Sequence, residues 1–526
     1  MDSRHTGSRE VLQVLLVLLA LGAAIFVSNR RFTFMDDEIT MIEDASRPPA
    51  EIVHSFFSRA GEHRHPPLYD LTLAGWMRLT GARIALLRVP AIVFYLLGLW
   101  FTIQAAGLMG GAVAARAALW IGVVFPYGFH FGRIAGWYSL SFCTVAMLTY
   151  AYLLVRESPG WQRWLFLVLA CELAVYTNYF LFAFIGLLFL DYWFTHRRES
   201  PVHLAAAAGT LLLLFALANP ILDAFFFRLA ADRSILRPAY SLAATMLFGG
   251  YNAYSLFVSE SIAPWFWYFS IPVLAAMAVC AYLILRYGPP PARWMFLGFV
   301  ACTLAMTLLN LINTKRLLFL SPWAIIPLAL MLGGLPRPEL RRNAVLALSL
   351  IGLIGWFGIF SRHYYAAPHL IEPWQPVAQQ AAREVQHGAI VIGSNSSFFF
   401  YLTEAIHSMD DPSADRFVGS FPERRHHPQL FTPNQWLQDG RAYAPTTVFV
   451  KGATDEVYWK AEAASEAALD HSCRLQRVER ELPDTGFALK QRWFSAAQQP
   501  AWRIEVRTYQ CPASNAAVAI LNNGMK

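Results

Sequence analysis

The chain is built from long apolar runs separated by short polar stretches. About eleven of these runs approach the length that an α-helix needs to cross a ~30 Å hydrocarbon core. They lie at residues 11–28, 89–108, 112–130, 138–155, 163–176, 177–194, 202–219, 265–286, 294–312, 317–335 and 343–360. The polar residues 176–179 (YTNY) divide two of the runs, which predicts a helical hairpin with a short first arm. The pattern predicts a mainly α, multi-pass membrane protein.

Basic residues are unevenly distributed between the loops that join these runs. If the N-terminus is cytoplasmic, the loops on its side hold Arg4, Arg9, Arg116, Arg156, Arg163, Arg197, Arg198, Arg286, Arg293, Arg337, Arg341 and Arg342. The short loops on the other side hold only Arg133, Lys315 and Arg316. Because cytoplasmic loops are enriched in lysine and arginine, this asymmetry predicts that the first loop (29–88) and the loop 220–264 are external.

The first loop contains a further apolar run at residues 67–79. Counting it as a span would reverse the orientation of every later loop and move the basic residues 196–200 to the outside. We therefore predict a helix that lies in the membrane interface, with Tyr69 and Trp76 at the level of the lipid headgroups.

The tail after residue 360 has a different pattern, with polar and charged residues between short apolar segments. The pattern of apolar and polar residues predicts a helix over 373–387 and strands over 389–395, 446–452 and 503–511. The sequence thus divides into a membrane domain (1–360) and an external C-terminal α/β domain (361–526). Two cysteines of the tail, Cys473 and Cys511, are predicted to form a disulfide if this domain faces an oxidising compartment.

Composition narrows the function classes. Of the 526 residues, 56% are hydrophobic and only 15% are charged, against roughly 25% charged in soluble proteins. The net charge of +7 is spread over many loops, which is typical of membrane orientation and phosphate binding and not of nucleic-acid binding. The sequence contains no phosphate-binding glycine loop, no nucleophile elbow and no zinc-ligand spacing, so nucleotide-dependent, hydrolase and zinc-protease functions lack support and no cofactor is predicted. A metal ion is not required either, because arginine and lysine can carry the charge of a phosphate.

Three consecutive carboxylates, Asp36, Asp37 and Glu38, follow the first apolar run. Acidic side chains at the edge of a bilayer are costly to desolvate, so they either mark the aqueous end of a helix or serve a cation or a reaction. A carboxylate in this place can take a proton from the hydroxyl or amine of an acceptor.

Basic and aromatic residues of three external segments are candidates to bind a phosphate. These residues are Arg64, His65, Arg133, Tyr138, Lys315 and Arg316. Cations stabilise a departing phosphate as its negative charge grows. Structural alternatives remain open, because Arg133 could be an interfacial anchor and His65 could cap the helix that begins after it.

Several segments together resemble the GT-C glycosyltransferases of the protein O-mannosyltransferase and lipid A aminoarabinose transferase type. The resemblance comes from the acidic pair after the first span, the HPPLY segment (65–69) and LRVPAIVFYLLGL (87–99). The segments 131–154 and 315–332 are similar to the bacterial members. The family implies a GT-C fold, interfacial helices in the first external loop, a polyprenyl-phosphate sugar donor, and an inverting transfer on the external face of the membrane.

The resemblance also assigns roles to residues. Asp37 and Glu38 match the Asp-Glu pair of the family, with Asp37 as the base that positions the acceptor, and Asp36 is an additional candidate for the base. Arg316, with Lys315, matches the basic residue near the end of the long external loop. Arg64 and His65 match positions where the aminoarabinose transferases have Glu-Lys, so the histidine departs from the family pattern.

These observations predict a glycosyltransferase of the bacterial inner membrane with a periplasmic active site, whose acceptor is an envelope lipid, glycan or protein. A transporter or flippase of lipid-linked saccharides is one alternative, although its charges would be expected along the middle of the spans. A ligase or polymerase of such saccharides is another, and it would concentrate its basic residues in one large late loop.

Overall fold

The computed structural model describes residues 8–29, 32, 34–58, 65–196, 201–231, 241–262, 264, 266–308, 314–361, 374–410, 429–438, 444–452, 456–480 and 504–512. The chain forms two compact units. The membrane unit comprises Met1–Ser28, Asp44–Trp76 and Arg88–Tyr365. The C-terminal unit comprises Asn29–Glu43, Met77–Leu87 and Ala366–Lys526. Two short segments from the beginning of the chain thus belong to the same unit as the tail.

Helices account for most of the described residues. In chain order they are α1 (Ser8–Ser28), α2 (Asp36–Ala45), α3 (Pro49–Phe57), α4 (Leu68–Thr80), α5 (Val89–Val124), α6 (Pro126–Phe131), α7 (Trp137–Glu157), α8 (Trp161–Thr177), α9 (Phe182–His196), α10 (Pro201–Ala231), α11 (Leu242–Val258), α12 (Trp267–Tyr287), α13 (Pro290–Leu308), α14 (Pro322–Gly334), α15 (Pro338–Phe360), α16 (Trp374–Gln386), α17 (Ser396–Asp410), α18 (Pro433–Gln438) and α19 (Glu456–Ser472). Short 3₁₀ turns include Tyr179–Leu181 and Arg316–Leu320.

Eight helical segments of the described chain are long and apolar enough to cross a membrane. They are Glu10–Ser28, Ile84–Val124, Trp137–Glu157, Tyr179–His196, Ala205–Phe227, Trp267–Tyr287, Pro290–Leu308 and Pro338–Phe360. The protein is therefore a multi-pass membrane protein, as its apolar pattern predicts. The count of about eleven spans stays a prediction, because the eight segments do not separate the two arms of Ile84–Val124 and leave out two shorter helices.

Two of these three differences have a local cause. The runs 89–108 and 112–130 form two helical arms within α5, and the chain reverses direction between them at the non-helical Gly111 (φ 68°, ψ −166°). The arms pack against each other, since the hydroxyl of Tyr95 donates a hydrogen bond to the carbonyl oxygen of Gly122 (3.3 Å), and the short helix α6 follows. The run 317–335 begins as a 3₁₀ turn, so that its α-helix, α14, has only 13 residues.

The third difference is the short first arm of the predicted hairpin. Helix α8 has 17 residues and ends at Thr177, and α9 begins at Phe182. The side chain of Asn178 lies between them and accepts a hydrogen bond from the N–H of Phe180 (3.0 Å). The polar break therefore separates two helices, as the sequence predicts.

Most of the described part of the predicted loop 220–264 is helical, a feature that the sequence pattern did not predict. Helix α10 continues through Pro220 to Ala231, and α11 fills residues 242–258. The hydroxyl of Ser241 caps α11 by accepting a hydrogen bond from the N–H of Ala244 (3.3 Å). In the first loop, α4 forms close to the predicted residues, but Tyr69 is buried in the protein and does not face lipid headgroups.

The C-terminal unit contains a five-stranded sheet of order β2-β1-β3-β5-β4. Its strands are β1 (Ile390–Gly393), β2 (Leu430–Phe431), β3 (Thr446–Lys451), β4 (Arg474–Arg480) and β5 (Glu505–Gln510). Strands β1, β2 and β3 are parallel, and β5 runs antiparallel to both β3 and β4. The strands predicted at 389–395, 446–452 and 503–511 are confirmed.

One apolar core packs against the sheet, and a disulfide joins two residues that flank its strands β4 and β5. Ile392, Phe449 and Trp436 are among its fully buried side chains. Cys473 and Cys511, which stand just before β4 and just after β5, are bonded to each other. This bridge joins the start of β4 to the end of β5, at one end of the antiparallel pair.

Candidate functional site

Lys315 and Arg316, at the start of the 3₁₀ turn, directly follow Thr314, whose position is fixed by two hydrogen bonds. The hydroxyl of Tyr127 donates a hydrogen bond to the carbonyl oxygen of Thr314 (2.6 Å). The hydroxyl of Thr314 donates in turn to the carboxylate of Glu260 (2.6 Å). Because the backbone and the side chain of Thr314 are both engaged, the backbone that carries Lys315 and Arg316 starts from a fixed point.

Both cations lie against aromatic rings at the beginning of α7. The ammonium of Lys315 is 5.7 Å from the ring centre of Tyr138, and the guanidinium carbon of Arg316 is 6.0 Å from that of Trp137. These distances are within the range of cation–π attraction. The structure therefore brings together three of the predicted residues, Tyr138, Lys315 and Arg316, from segments that are distant in sequence.

The half-buried His65 joins this group from the first loop. The ring centre of His65 lies 5.0 Å from that of Trp137, and the ring centre of Trp137 lies 4.5 Å from that of Tyr138. His65, Trp137, Tyr138, Lys315 and Arg316 are called the Trp137 cluster below. Arg64, the neighbour of His65, lies outside the described residues.

Trp137 itself carries an unused hydrogen-bond donor. Its side chain is 3% exposed, and its indole N–H makes no hydrogen bond to any residue in the described part of the chain. A buried donor without a partner is unusual in a native structure and suggests a ligand or a bound water. Sequence reasoning did not select Trp137, because a tryptophan at the end of a span is most often an interfacial anchor.

Arg133 lies in the turn between α6 and α7. Its side chain is 2% exposed, and its guanidinium carbon is 5.8 Å from the ring centre of Phe129. The hydroxyl of Ser139 donates a hydrogen bond to the carbonyl oxygen of Gly132 (2.7 Å), which fixes this turn to the start of α7. Gly132 has no room for a side chain, because a Cβ there would lie 2.5 Å from the Tyr95 ring.

Glu260 is a second residue that the sequence did not reveal. It is 6% exposed and accepts hydrogen bonds from Thr314 and from the hydroxyl of Tyr251 (3.1 Å). Burial, and then the Glu260 carboxylate, raise the pKa of Tyr251 well above its usual value, so this phenol remains a donor at physiological pH. A lone glutamate in an apolar loop carries no motif, so only the structure reveals its partners.

The backbone at Glu260 is strained. Ser259 and Glu260 have φ values of 56° and 57°, in the left-handed region that side chains other than glycine rarely adopt. Such conformations cost about 1–3 kcal/mol each and persist only where surrounding contacts impose them. One such contact is the hydrogen bond between the hydroxyl of Ser259 and the His130 ring (2.8 Å).

An apolar cavity of about 220 Å³ lies inside the membrane unit. It adjoins the 3₁₀ turn Arg316–Leu320, which together with Lys315 is called the basic turn below. Side chains of α5, α7, α11, α12, α13 and α14 line it. Its wall also includes Leu318 and Ser321, within five residues of Arg316, and Tyr127, which holds Thr314. The cavity and the cations therefore share structural elements.

The acidic segment belongs to the C-terminal unit, where it begins α2. The carboxylate of Glu38 is buried and accepts a hydrogen bond from the N–H of Met35 (3.0 Å), which closes the first turn of the helix. Asp37 is half-buried, and Asp36 is the first residue of the helix. Of the two carboxylates whose exposure is described, Asp37 is the more accessible one.

Among the described residues, no group of three or more His, Cys, Asp or Glu side chains is arranged to hold a metal ion.

Two crystal structures of ArnT from Cupriavidus metallidurans are similar to this chain over almost its whole length. The apo structure has a TM-score of 0.53 and 11% identity, and the match covers 95% of this chain and 98% of that one. The structure bound to undecaprenyl phosphate has a TM-score of 0.52 and 12% identity, with 96% and 98% covered. A likeness to the oligosaccharyltransferase of Archaeoglobus fulgidus, solved with Zn and sulfate, has a TM-score of only 0.40 at 11% identity and supports no argument (87% and 71% covered).

No protein-family model and no curated protein matches the chain in sequence. The membrane helices and the small C-terminal sheet nevertheless define its architecture, which is the GT-C fold. Within that fold the protein is similar to the lipid A aminoarabinose transferase ArnT, and the predicted fold class is thereby confirmed.

Proposed function

We propose that this protein is an inverting glycosyltransferase of the bacterial inner membrane. It would move a sugar from a polyprenyl-phosphate donor to an envelope lipid, glycan or protein on the periplasmic side. The single observation that carries the proposal is the Trp137 cluster, in which two cations and a buried N–H donor come together on elements that also line an apolar cavity. An anionic head on an apolar chain is the ligand that suits this combination.

The Trp137 cluster would bind the phosphate of the donor. Lys315 and Arg316 supply positive charge, and charge-assisted hydrogen bonds to phosphate are roughly twice as strong as neutral ones. The indole N–H of Trp137 offers a further donor to a phosphate oxygen. His65 and Tyr138 complete the group, and Arg133 and Arg64 remain proposed phosphate ligands on the strength of the sequence.

The apolar cavity would take part of the lipid chain. Its volume of about 220 Å³ is below the ~300–1,000 Å³ typical of pockets that enclose a whole small ligand. It would therefore hold a portion of the chain near the phosphate, while the remainder lies among lipids. That ArnT, which has the same fold, was crystallised with undecaprenyl phosphate supports a lipid phosphate as the ligand.

Asp37 would act as the general base. Its carboxylate takes the proton from the acceptor hydroxyl or amine, and the freed electron pair attacks the anomeric carbon of the sugar. The bond from that carbon to the phosphate oxygen breaks, and the polyprenyl phosphate leaves with the bonding electrons, stabilised by Lys315 and Arg316. Attack from the side opposite the phosphate inverts the anomeric carbon.

The test separates the base from the phosphate ligands. A deletion strain is complemented with wild type, Asp37→Asn or Arg316→Ala at matched membrane levels, and its envelope glycans are compared by mass spectrometry. Binding of undecaprenyl phosphate to each purified protein is measured by native mass spectrometry, with undecaprenol as the control lipid. We expect Asp37→Asn to lose at least about 100-fold in activity while it still binds the lipid phosphate.

We expect Arg316→Ala to bind undecaprenyl phosphate less tightly and undecaprenol unchanged. Full activity in Asp37→Asn, Glu38→Gln and Asp36→Asn alike would refute the proposed mechanism. Movement of the lipid-linked saccharide across vesicles, without any new glycosidic bond, would instead identify a flippase.

A further inference from the structure

The acidic segment is attached by its backbone to a helix of the tail. The N–H of Phe34 donates a hydrogen bond to the hydroxyl of Tyr401 (3.1 Å), and the hydroxyl of Ser397 donates to the carbonyl oxygen of Phe34 (2.5 Å). Both polar backbone groups of Phe34 are therefore satisfied by side chains of α17, more than 360 residues further along the chain. All of these residues belong to the C-terminal unit.

Apolar packing reinforces the two hydrogen bonds. The ring of Phe34 is 6% exposed, and its centre lies 5.2 Å from that of Phe400 and 6.4 Å from that of Tyr401. Met35 is also buried. The aromatic run at residues 398–401 is not part of the Trp137 cluster. It packs against the residues that immediately precede the carboxylates.

The docking position has a specific place in the sheet. Helix α17 follows β1, whose parallel neighbours β2 and β3 lie on opposite sides of it. In open α/β sheets, ligands bind outside the carboxyl ends of strands at such a point. Asn395 caps α17 by accepting a hydrogen bond from the N–H of Phe398 (3.1 Å), so that Ser397 and Tyr401 are presented from a well-defined first turn and a half.

The first turn of α2 connects the anchored Phe34 to Asp37 through a series of hydrogen bonds. Phe34 is held by α17, the N–H of the next residue, Met35, is bound by Glu38, and the carbonyl oxygen of Met35 accepts the N–H of Ile39 (3.0 Å). Asp37 lies within this closed turn. Its backbone position is consequently determined by the tail.

We propose that the C-terminal unit holds the catalytic carboxylate, with Ser397 and Tyr401 as positioning residues for Asp37. The proposal rests on the proposed function, in which Asp37 is the base. It assigns the tail a role in turnover and none in donor binding, because the described cations of the Trp137 cluster all belong to the membrane unit. Misplacement of a catalytic group by about 1 Å can reduce a rate 100-fold, so even a modest loosening is measurable.

The test uses one conservative substitution and a matched control in the full-length protein. Tyr401→Phe keeps the ring but removes the hydroxyl that binds Phe34. Tyr509→Phe makes the same change in the same unit and removes a hydrogen bond from β5 to Asp470 of α19 (2.8 Å). For each protein we measure kcat, the KM for the lipid donor, and hydrogen–deuterium exchange of a peptide covering residues 34–43.

We expect Tyr401→Phe to lower kcat roughly three- to tenfold, which is the effect of about one hydrogen bond. The KM for the donor should stay at the wild-type value, and exchange in 34–43 should become faster. Adding Ser397→Ala should deepen both effects, whereas Tyr509→Phe should show neither.

The exchange measurement needs no substrate, so the two proposals fail separately. Unchanged exchange and kcat in the Tyr401→Phe, Ser397→Ala double variant would overturn the positioning role, as would equal changes in Tyr509→Phe. If the wild-type protein lacked transferase activity while exchange still rose in Tyr401→Phe, the attachment of the segment would be supported and the proposed function would be overturned.

Discussion

At the scale of single residues, the roles of Glu260 and Trp137 are set by partners that are distant in sequence. Glu260 acts on Thr314, 54 positions later, through one hydrogen bond. The ring of Trp137 lies beside the imidazole of His65 and the guanidinium of Arg316, which come from two other segments. The sequence identified Lys315 and Arg316 because cations are rare in external loops, but it holds no comparable signal for a buried glutamate or tryptophan.

Glu260 offers a paired test of the basic turn. Glu260→Gln keeps an oxygen that can accept from Tyr251 and Thr314, whereas Glu260→Ala leaves both donors without this acceptor. We expect Glu260→Ala to weaken undecaprenyl phosphate binding about tenfold and to lower stability by about 1–3 kcal/mol. Glu260→Gln should be much milder, and native mass spectrometry with thermal unfolding measures both effects. Wild-type affinity in Glu260→Ala would show that Thr314 does not need this support.

Trp137→Phe isolates the unused indole N–H. The ring remains for Arg316, but the donor is lost, so we expect a several-fold weaker affinity for undecaprenyl phosphate and no change for undecaprenol. Trp323→Phe is the control, because the indole of Trp323 already donates to the hydroxyl of Thr149 (3.0 Å). That variant should lose stability and keep its affinity, and the reverse outcome would remove Trp137 from the site.

At the scale of elements, apolar length predicted most helices, while their joints depended on details of the backbone. The chain reversal at Gly111 joins two expected spans directly, without a polar loop between them, and the polar residues Tyr251 and Asn252 made α11 resemble part of a loop. Three strands of the tail, β1, β3 and β5, were predictable because their residues are buried or alternate in polarity, whereas β2 has only two residues and was not predicted. Strand β4 was not predicted either, because it is mainly exposed and charged.

The bend in α5 leads to a prediction of opposite signs at two glycines. At both Gly111 and Gly75 an added Cβ would meet no atom within 4 Å, so packing does not distinguish them. Gly111 has φ 68°, which strains any side chain, whereas Gly75 lies in the regular helix α4. We expect Gly111→Ala to destabilise the protein by about 1 kcal/mol or more and Gly75→Ala to stabilise it by up to about 1 kcal/mol. Thermal unfolding in detergent measures both, and equal shifts would contradict the account of the bend.

At the scale of the whole molecule, the sequence predicted the architecture but not the membership of the two units. The apolar runs and the α/β pattern of the tail are local features and were readable. The union of residues 29–43 with the tail depends on Phe34 and α17, and no local pattern contains that information. The sidedness of the membrane protein remains a prediction from arginine distribution.

The disulfide provides a test of that sidedness. Disulfides persist in the periplasm and are rare in the cytosol, so a bonded Cys473–Cys511 pair in living cells indicates a periplasmic tail. We expect a maleimide reagent to modify these two cysteines only after reduction, with the Cys473→Ser, Cys511→Ser double variant as the background. The same pair found as free thiols before reduction would place the tail in the cytoplasm.

The attachment of Phe34 to α17 has a consequence during synthesis of the protein on the ribosome. The two partners are separated by 363 residues, and ribosomes add about 5–20 residues per second. For roughly 20–70 s the nascent chain therefore carries its acidic segment without the helix that receives it. Under the proposed function, in which Asp37 is the base, a chain that stops early would lack a correctly held base. Synthesis of the last quarter of the polypeptide would then be the step that completes the active site.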